Sequence, residues 1–305
     1  MVWPYCRILL SNKPLLAPDG CRPHSIVLQA DKVRVKAGHL RRYRAVCGIN
    51  DDGLLPHAYL HVLAMPLHLR LFAHPGFPVK VLGLVHLRNV IRQVRAIRAD
   101  EILQLSVRYD SLRETESGQE YDLITRCEIA GQPVWEEVST MLARRTSPGK
   151  RPSIERATRD AARIVGEQTV VATADTGRRY AFVSGDFNPI HLFDRTAKAF
   201  HFKQTVAHGM WSLARCVGLA ASTFAAESVE IDAQFKLPIY LPGEFIFRQH
   251  RTEQGLELTL TTPKGDRLHL LVQVCKLTAA RALLVGNIDG LGDSNTGHPY
   301  VQRAQ

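Results

Sequence analysis

The fold of this chain can be worked outward from the stretch Tyr180-Ala181-Phe182-Val183-Ser184-Gly185-Asp186-Phe187-Asn188-Pro189-Ile190-His191. Gly185 and Pro189 break regular structure on either side of Asp186 and Asn188, so a helix is predicted to end here and a loop to begin. Asp186 and His191 lie five residues apart on this bent segment, a spacing that lets both side chains converge on one water molecule. Taken alone, such a turn is also explained by capping, because Asp and Asn are common capping residues.

A shorter copy of this helix end occurs earlier in the chain. The motif is Arg41-Arg42-Tyr43-x-x-Val46-x-Gly48, which matches Arg178-Arg179-Tyr180-x-x-Val183-x-Gly185 with five identities in eight positions at an offset of 137 residues. Internal repetition on this scale indicates a duplicated domain. The same offset places Ile49 where Asp186 stands and Leu54 where His191 stands. The first copy therefore lacks the acid and the imidazole, and we predict one active site per chain, in the second copy.

Hydrophobic patterning predicts a similar order of elements in both halves, helices followed by four strands. The predicted helices span residues 37–48, 55–72, 175–183, 194–200 and about 209–224. The predicted strands span residues 84–95, 101–112, 119–129 and 133–145, and then 229–236, 244–252, 256–262 and 267–277. Pro66 is expected to kink or break the second helix. Each half is predicted to be an antiparallel meander wrapped on one long apolar helix, which gives an α+β fold.

Polar segments rich in Pro and Gly suggest the boundaries of these units. We predict a first unit over residues 1–146, a linker over 147–168, a second unit over 169–278 and an extension over 279–305 to which no role is assigned. The first 30 residues are predicted to form an irregular arm with a short strand near residues 25–29.

Charge and hydropathy limit the classes of function. The formal net charge is +10, but residues 1–150 hold 21 Lys and Arg against 14 Asp and Glu, and residues 151–305 hold 18 against 15, so the excess is spread. Four arginines are interpreted as the solvent-exposed face of a strand, namely Arg88, Arg92, Arg95 and Arg98. We therefore expect no nucleic-acid partner. A diffuse positive field suits substrates with phosphates or a small acidic carrier protein. No apolar run of 18 residues and no secretory leader are seen, so we expect no membrane span and a cytoplasmic protein.

For other reactive side chains, a structural role explains the sequence better than a catalytic or metal-binding role. The six cysteines lack a Cys-x-x-Cys pair and are expected to be reduced thiols: Cys6, Cys21, Cys47, Cys127, Cys216 and Cys275. His208 could complete a metal site with Asp186 and His191, but its side chain is expected to point into packing or to a backbone carbonyl. Ser184 is not in a Gly-x-Ser-x-Gly elbow and is not expected to be a nucleophile. Four further histidines lack compact zinc-site spacing and fall among apolar residues, namely His57, His61, His68 and His74.

The motif, the segment Ala207-His208-Gly209-Met210, the apolar helix and the following strands resemble the MaoC-like, or hydratase 2, group of hotdog-fold enzymes. These enzymes handle (R)-3-hydroxyacyl and trans-2-enoyl thioesters. The chain looks most like the full-length dehydratases of mycobacteria and related bacteria, which carry two hotdogs in one chain. The resemblance implies a double hotdog packed as a pseudo-dimer, either as a monomer or as a homodimer. It also implies that the silent half leaves room for a longer acyl tail, in a tunnel lined by apolar residues between Leu55 and Leu84.

The resemblance also implies roles for four residues. Asp186 and His191 match the family's catalytic acid/base pair, Asn188 its supporting amide, and Gly209 its oxyanion-hole glycine. Hydration of a 2-enoyl thioester needs a base for the water that attacks C3, a proton for C2 and stabilisation of charge on the thioester oxygen. His191 is assigned as the base and Asp186 as its partner, with Asp186 donating at C2 when protonated. Whether the two roles are exchanged is left open.

The leading hypothesis is a reversible hydro-lyase of fatty acid metabolism that uses no metal or redox cofactor. Its substrate would be an acyl-CoA or acyl-carrier-protein thioester, and the sequence does not select between the two carriers. Two alternatives remain at this point, a hotdog acyl-thioesterase and a non-catalytic module that binds acyl thioesters. Acyl chain length, direction and assembly are also open.

Overall fold

The computed structural model describes residues 8, 11–18, 26–145, 164–223, 228–278 and 300–303. Most of the predicted linker and most of the C-terminal extension lie outside the described residues, so the predicted domain boundaries stay predictions. The helices are α1 (Ala37–Cys47), α2 (Tyr59–Ala73), α3 (Thr176–Ser184), α4 (Asp194–Ala199) and α5 (Gly209–Ala220). A 3-10 turn spans Pro189–His191. No helix among these described residues is long and apolar enough to cross a membrane.

The strands form one sheet that runs through both halves of the chain. They are β1 (Ile26–Arg34), β2 (Val85–Gln93), β3 (Ile102–Thr115), β4 (Gly118–Ile129), β5 (Gln132–Arg144), β6 (Ile164–Ala172), β7 (Val229–Phe235), β8 (Gly243–Thr252), β9 (Gly255–Thr261), β10 (Leu268–Lys276) and β11 (Tyr300–Arg303). Their order is β11-β1-β3-β4-β5-β2-β7-β10-β9-β8-β6. The first half contributes β1-β3-β4-β5-β2 and the second half β6-β8-β9-β10-β7, so the two halves repeat one topology.

The predicted four-stranded meander is wrong for the first strand of each half. β2 pairs with β5 and β7 pairs with β10, so only β3-β4-β5 and β8-β9-β10 follow one another as hairpins. This order leaves β2 and β7 with one free edge each, and the two edges pair with one another. Alternating hydrophobicity identifies a strand but not its partner, which is why the sequence pattern could not supply this order. β6 was also not predicted, and it begins inside the segment assigned to the linker.

The pairing of β2 with β7 forms the seam between the two halves. Ile91 pairs with Ile231 at the seam, and both are fully buried. Beside them the Arg92 Nε lies 2.7 Å from Glu230 Oε2, and the Arg88 Nε lies 3.6 Å from Asp232 Oδ1. The arginines of β2 therefore face the solvent edge of the seam as ion-pair partners of the second half.

The repeated motif adopts the same structure in both copies. α1 ends at Gly48 with φ +62° and α3 ends at Gly185 with φ +77°, the left-handed conformation that glycine accepts at helix ends. The equivalent side chains of Tyr43 and Tyr180 are both buried, with ring centroids 6.3 Å apart. The duplicated residues thus meet near the axis that relates the two halves.

Each half also has one central helix. α2 is buried nearly all round and continues through Pro66, so the expected break does not occur. α5 ends at Ala220, earlier than the predicted residue 224, and buries Met210, Leu213 and Val217 as its apolar spacing predicts. A Cβ atom at Gly218 would lie 2.7 Å from Ile49 Cγ1. The loop of the first copy therefore packs directly on α5.

Candidate active site

The loop after α3 is held by its own side chains. The Gly185 N–H donates to the Ala181 carbonyl at 2.8 Å and ends the helix. The Asp186 N–H donates to Ser184 Oγ at 3.1 Å, and the Asn188 N–H donates to Asp186 Oδ1 at 3.1 Å. One Asp186 oxygen is thus fixed by the turn, while the side chain stays 34% exposed. Ser184 is buried and serves the turn.

Asn188 begins the 3-10 turn that carries His191. Its Oδ1 accepts from the Ile190 N–H at 3.5 Å, which is a long capping contact. The Val206 N–H donates to the Ile190 carbonyl at 3.1 Å, so the turn is tied to the segment that leads into α5. Asn188 therefore caps the turn as the plain interpretation expects, and its substrate role stays a prediction.

His191 is buried and has one defined partner. Its Nδ1 lies 2.7 Å from the Val206 carbonyl oxygen, which can only accept, so Nδ1 carries the proton when the ring is neutral. Burial lowers the pKa of His191 below its ordinary value, more than the Asp186 carboxylate and the Val206 carbonyl raise it. The ring is therefore neutral near pH 7, with a lone pair on Nε2.

His208 packs against His191 in the same site. The two ring centroids are 3.7 Å apart and the rings are tilted by 28°. His208 Nε2 donates to the Asp186 backbone carbonyl at 2.9 Å and lies 3.8 Å from Asp186 Oδ2. Burial and the His191 ring lower the pKa of His208 to about 3, so it is neutral. Its contact with a backbone carbonyl confirms the expectation for this side chain.

Asp186 is the third member of the group, and its ionised form is favoured. Burial alone would raise the pKa of Asp186, but the imidazoles of His208 and His191 and the Asn188 amide together lower it. Asp186, His191 and His208 offer nitrogen and oxygen atoms within 4.8 Å of one another, which could hold a metal ion. One nitrogen of each imidazole is already engaged by a backbone carbonyl. The arrangement places an ionised carboxylate beside a neutral imidazole, which suits proton transfer to and from water.

Gly209 lies next to this group at the start of α5. The first N–H groups of a helix have no intrahelical acceptor, and the helix dipole favours negative charge there. A Cβ atom at Gly209 would lie 3.0 Å from the Phe235 ring, so the site has no room for a larger residue without movement. The structure thus brings the loop of Asp186, Asn188 and His191 together with Gly209.

Two residues position the site from outside the motif, and sequence reasoning did not find the first. A Cβ atom at Gly177 would lie 2.1 Å from the His191 carbonyl oxygen, so this glycine lets α3 pack onto the 3-10 turn. The second is His208, for which the sequence predicted a contact with packing or a backbone carbonyl but not its stacking on His191. The Ala207-His208-Gly209 order places it one residue before the helix, and that was the available signal.

A second polar group lies in the first half, against expectation. His61, His68 and Glu137 offer ligand atoms within 4.8 Å of one another, and all three are buried. His61 and His68 do lie among apolar residues of α2, as expected, but that interpretation did not foresee their grouping with Glu137. Glu137 comes from β5, far along the chain, so histidine spacing could not reveal the group.

The second half of the chain matches a known protein family. A family model described as the MaoC like domain matches residues 157–254. The 3-hydroxyacyl-thioester dehydratase X of Mycobacterium tuberculosis (strain ATCC 25618 / H37Rv) is 28% identical over 253 residues, which cover 80% of this chain and 87% of that protein. The crystal structure of HtdX from Mycobacterium tuberculosis aligns with a TM-score of 0.71 at 27% identity, and the alignment covers 82% of this chain and 100% of that chain.

A more distant structure supports the fold alone. A Mycobacterium tuberculosis protein described as having a double hotdog fold aligns with a TM-score of 0.50 at 11% identity, covering 88% of this chain and 97% of that chain. The repeated five-stranded topology has the same architecture, so the predicted α+β double hotdog is confirmed. The chain thus carries a MaoC-like domain on the half that bears the acid and the imidazole, and it is similar to a mycobacterial 3-hydroxyacyl-thioester dehydratase.

Proposed function

We propose that this protein is a hydro-lyase that interconverts trans-2-enoyl and (R)-3-hydroxyacyl thioesters in fatty acid metabolism. The observation that carries the proposal is the ionised Asp186 beside the neutral His191, next to the free helix start at Gly209. The similarity to a 3-hydroxyacyl-thioester dehydratase supports the same reaction.

The Gly209 N–H is assigned to the thioester oxygen. In hydration, negative charge develops on that oxygen as water adds to C3, and a fixed backbone donor stabilises the charge in the transition state. The absence of a side chain at Gly209 lets the thioester approach the helix start. The Phe235 ring lies on the other side of this position and limits where the acyl chain can run.

The proton steps are assigned to His191 and Asp186. The neutral His191 Nε2 takes a proton from the water that attacks C3, and the resulting imidazolium then delivers a proton to C2. Asp186 is ionised because its pKa is lowered, so it is assigned to hold the water and to stabilise the imidazolium. This assignment favours His191 over Asp186 as the C2 donor. Dehydration follows the same steps in reverse.

The first unit is assigned a supporting role. Ile49 and Leu54 stand at the positions of the acid and the imidazole, so one active site per chain is proposed. We further propose an acyl-CoA or acyl-carrier-protein thioester as substrate, a cytoplasmic location, and a monomeric pseudo-dimer or a homodimer. The unit boundaries at residues 146, 168 and 278 are part of the same proposal.

One assay tests the reaction. Purified protein is given crotonyl-, octenoyl- and dodecenoyl-CoA, and loss of the enoyl absorbance is followed with chiral analysis of the product. Asp186→Asn and His191→Ala are each expected to lower turnover by about 10²–10⁴-fold with unchanged circular dichroism. Normal rates in both variants would contradict the site. Release of free thiol without hydration would instead identify a thioesterase.

A further inference from the structure

The first unit contains a polar cluster, defined as His61, His68, His86, Asn89 and Glu137. It joins α2 to the strands β2 and β5, and Asn89 and Glu137 are fully buried. Burying polar and charged groups is costly unless they are paired, so five such side chains in one core are a built feature. None of the five belongs to the catalytic loop.

Most of the cluster is tightly bonded. His61 Nδ1 donates to both Glu137 oxygens, at 2.9 and 3.0 Å. Asn89 Nδ2 donates to Glu137 Oε1 at 2.7 Å, and His68 Nε2 lies 2.7 Å from Thr125 Oγ1. Glu137 therefore holds side chains from α2 and β2, and its own charge is paired.

A β-bulge aims His86 into the cluster. Asn89 pairs opposite Ser139 and His86 pairs opposite Met141, with the register shift between His86 and Arg88. Ser139 and Met141 lie two residues apart and share one face of β5, so the bulge puts His86 and Asn89 on that same face. Without the extra residue, the imidazole would point to the other face.

Two acceptor atoms of the cluster are left over. His86 Nε2 and Asn89 Oδ1 are buried and have no hydrogen-bond partner in the described part of the chain. Burial lowers the pKa of His86 to about 4, so its ring is neutral, and its other nitrogen is engaged by the Arg88 backbone. Nε2 and Oδ1 are then both acceptors. A buried acceptor without a donor is costly, so the pair calls for a ligand that donates a hydrogen bond.

The cluster adjoins the active site on its inner side. The Phe235 ring lies 4.7 Å from the His86 ring, centroid to centroid, and it also lies 3.0 Å from where a Cβ atom of Gly209 would stand. Asp186 also interacts electrostatically with three cluster members, His61, His68 and His86. The carrier arm of a thioester must leave toward solvent, where the Asp186 side chain is 34% exposed, so we assign the acyl chain to the opposite direction, past Phe235.

We propose that the polar cluster is a subsite for a hydroxyl group on the acyl chain, so that the preferred substrate is a hydroxylated 2-enoyl thioester rather than a plain alkyl one. The hydroxyl would donate to His86 Nε2 or Asn89 Oδ1. This inference rests on the proposed hydro-lyase function, and it replaces the expected apolar tunnel with a polar one.

The test compares trans-2-octenoyl-CoA with its 6-, 7- and 8-hydroxy analogues. We expect the best hydroxylated analogue to exceed octenoyl-CoA in kcat/KM by about tenfold or more, since the unpaired acceptors penalise a chain without a donor. His86→Leu and His86→Phe are expected to abolish the preference while octenoyl-CoA is still hydrated. His86→Phe keeps a ring against Phe235, so it guards against a loss caused by packing alone.

The matched control is His269→Leu, which removes another imidazole with an unpartnered Nε2 from the sheet of the second half. It is expected to keep the preference for the hydroxylated chain. Equal wild-type rates for plain and hydroxylated chains, or a preference that survives both His86 variants, would overturn the subsite and leave the hydro-lyase standing. Stoichiometric zinc in the purified protein that is lost in His68→Leu would overturn it in favour of a metal site. Failure to hydrate any of these thioesters would reject the proposed function and the subsite together.

Discussion

The two imidazoles of the active site are held in defined tautomers by backbone carbonyls. The Val206 carbonyl fixes the proton of neutral His191 on Nδ1, and the Asp186 carbonyl fixes that of neutral His208 on Nε2. His191 therefore presents its lone pair on Nε2. Because both carbonyls belong to the segments on either side of the site, the protonation pattern is set by the fold rather than by the catalytic side chains alone.

The acid limb of the pH profile should report His191. Its base form is needed, so kcat/KM is full above the folded pKa and falls as the pH drops through it, with a midpoint below 6.5 because burial lowers this pKa. The Asp186 carboxylate raises the same pKa, so Asp186→Asn should move the midpoint to still lower pH. NMR titration of the His191 imidazole measures this even where turnover is weak. A midpoint that is unchanged or higher in Asp186→Asn would contradict the coupling.

His208 should act by position and not by proton transfer. His208→Phe keeps a ring stacked on His191 but loses the hydrogen bond to the Asp186 carbonyl. We expect kcat to fall about tenfold, the worth of one hydrogen bond, with KM nearly unchanged. The acid limb should not move, since His208 is not among the groups that set the His191 pKa. Loss of that limb would show a direct catalytic role, and a normal kcat would show no role.

A methyl group added at Gly209, at the start of α5, should lower turnover far more than it lowers stability. In Gly209→Ala the new Cβ lies 3.0 Å from the Phe235 ring, which must move by a few tenths of an ångström. We expect kcat to fall about 10²–10³-fold, as when an oxyanion donor is lost, with a stability loss of about 1–3 kcal/mol. Enoyl hydration and urea unfolding measure the two effects.

Gly218→Ala is the matched control on the same helix. Its Cβ would meet Ile49 at 2.7 Å, in the silent copy's loop, so it should cost a similar stability and keep most of the turnover. Equal losses of kcat in the two alanine variants would contradict the role of the Gly209 N–H.

Helices and strands differ in how well the sequence predicts their ends and their partners. The ends of α1 and α3 were predictable because Gly48 and Gly185 accept the left-handed conformation that closes a helix. α2 passed through Pro66 because burial on all sides outweighs the lost hydrogen bond. Strand positions were predictable, but the partners of β2 and β7 were not, since pairing depends on contacts far apart in sequence.

Across the whole molecule, the two halves form one sheet because β2 and β7 complete each other. Each alone would leave an unpaired strand edge. The seam also pairs Arg92 with Glu230, one residue from each half. The first half therefore covers the strand edge that β7 would otherwise leave unpaired.

Site residues that are close in sequence could be predicted, and those that are distant in sequence could not. Asp186, Asn188 and His191 fall within six residues, so a local motif reveals them. The polar cluster joins α2 to β5 across 76 positions between His61 and Glu137, and no spacing rule spans that distance. Residues that are distant in sequence and meet only in the fold can be recognised only from the structure.

The buried pair of His61 and Glu137 joins the central helix of the first unit to its sheet, so it should govern the pH dependence of overall stability. The pKa of His61 is raised by Glu137 despite burial, so this stabilisation is complete below 6.5 and is lost as the pH rises through the folded pKa. The pKa of Glu137 is about 2 against an ordinary 4.5, so the pair also weakens as the pH falls from 4.5 toward 2. The pair should therefore stabilise most between these limits.

Glu137→Gln leaves His61 without its counter-charge, and we expect it to lower the free energy of unfolding by about 3 kcal/mol at pH 5.5. The loss should be smaller at pH 9, where the wild-type His61 is also losing its charge. Urea unfolding at both pH values measures the difference, and Glu120→Gln is the control, because the Glu120 pair with Arg113 is partly exposed and should contribute less than about 1 kcal/mol. A Glu137→Gln deficit that grew with pH would show that His61 is neutral in the fold, and the pair would then be a hydrogen bond rather than an ion pair.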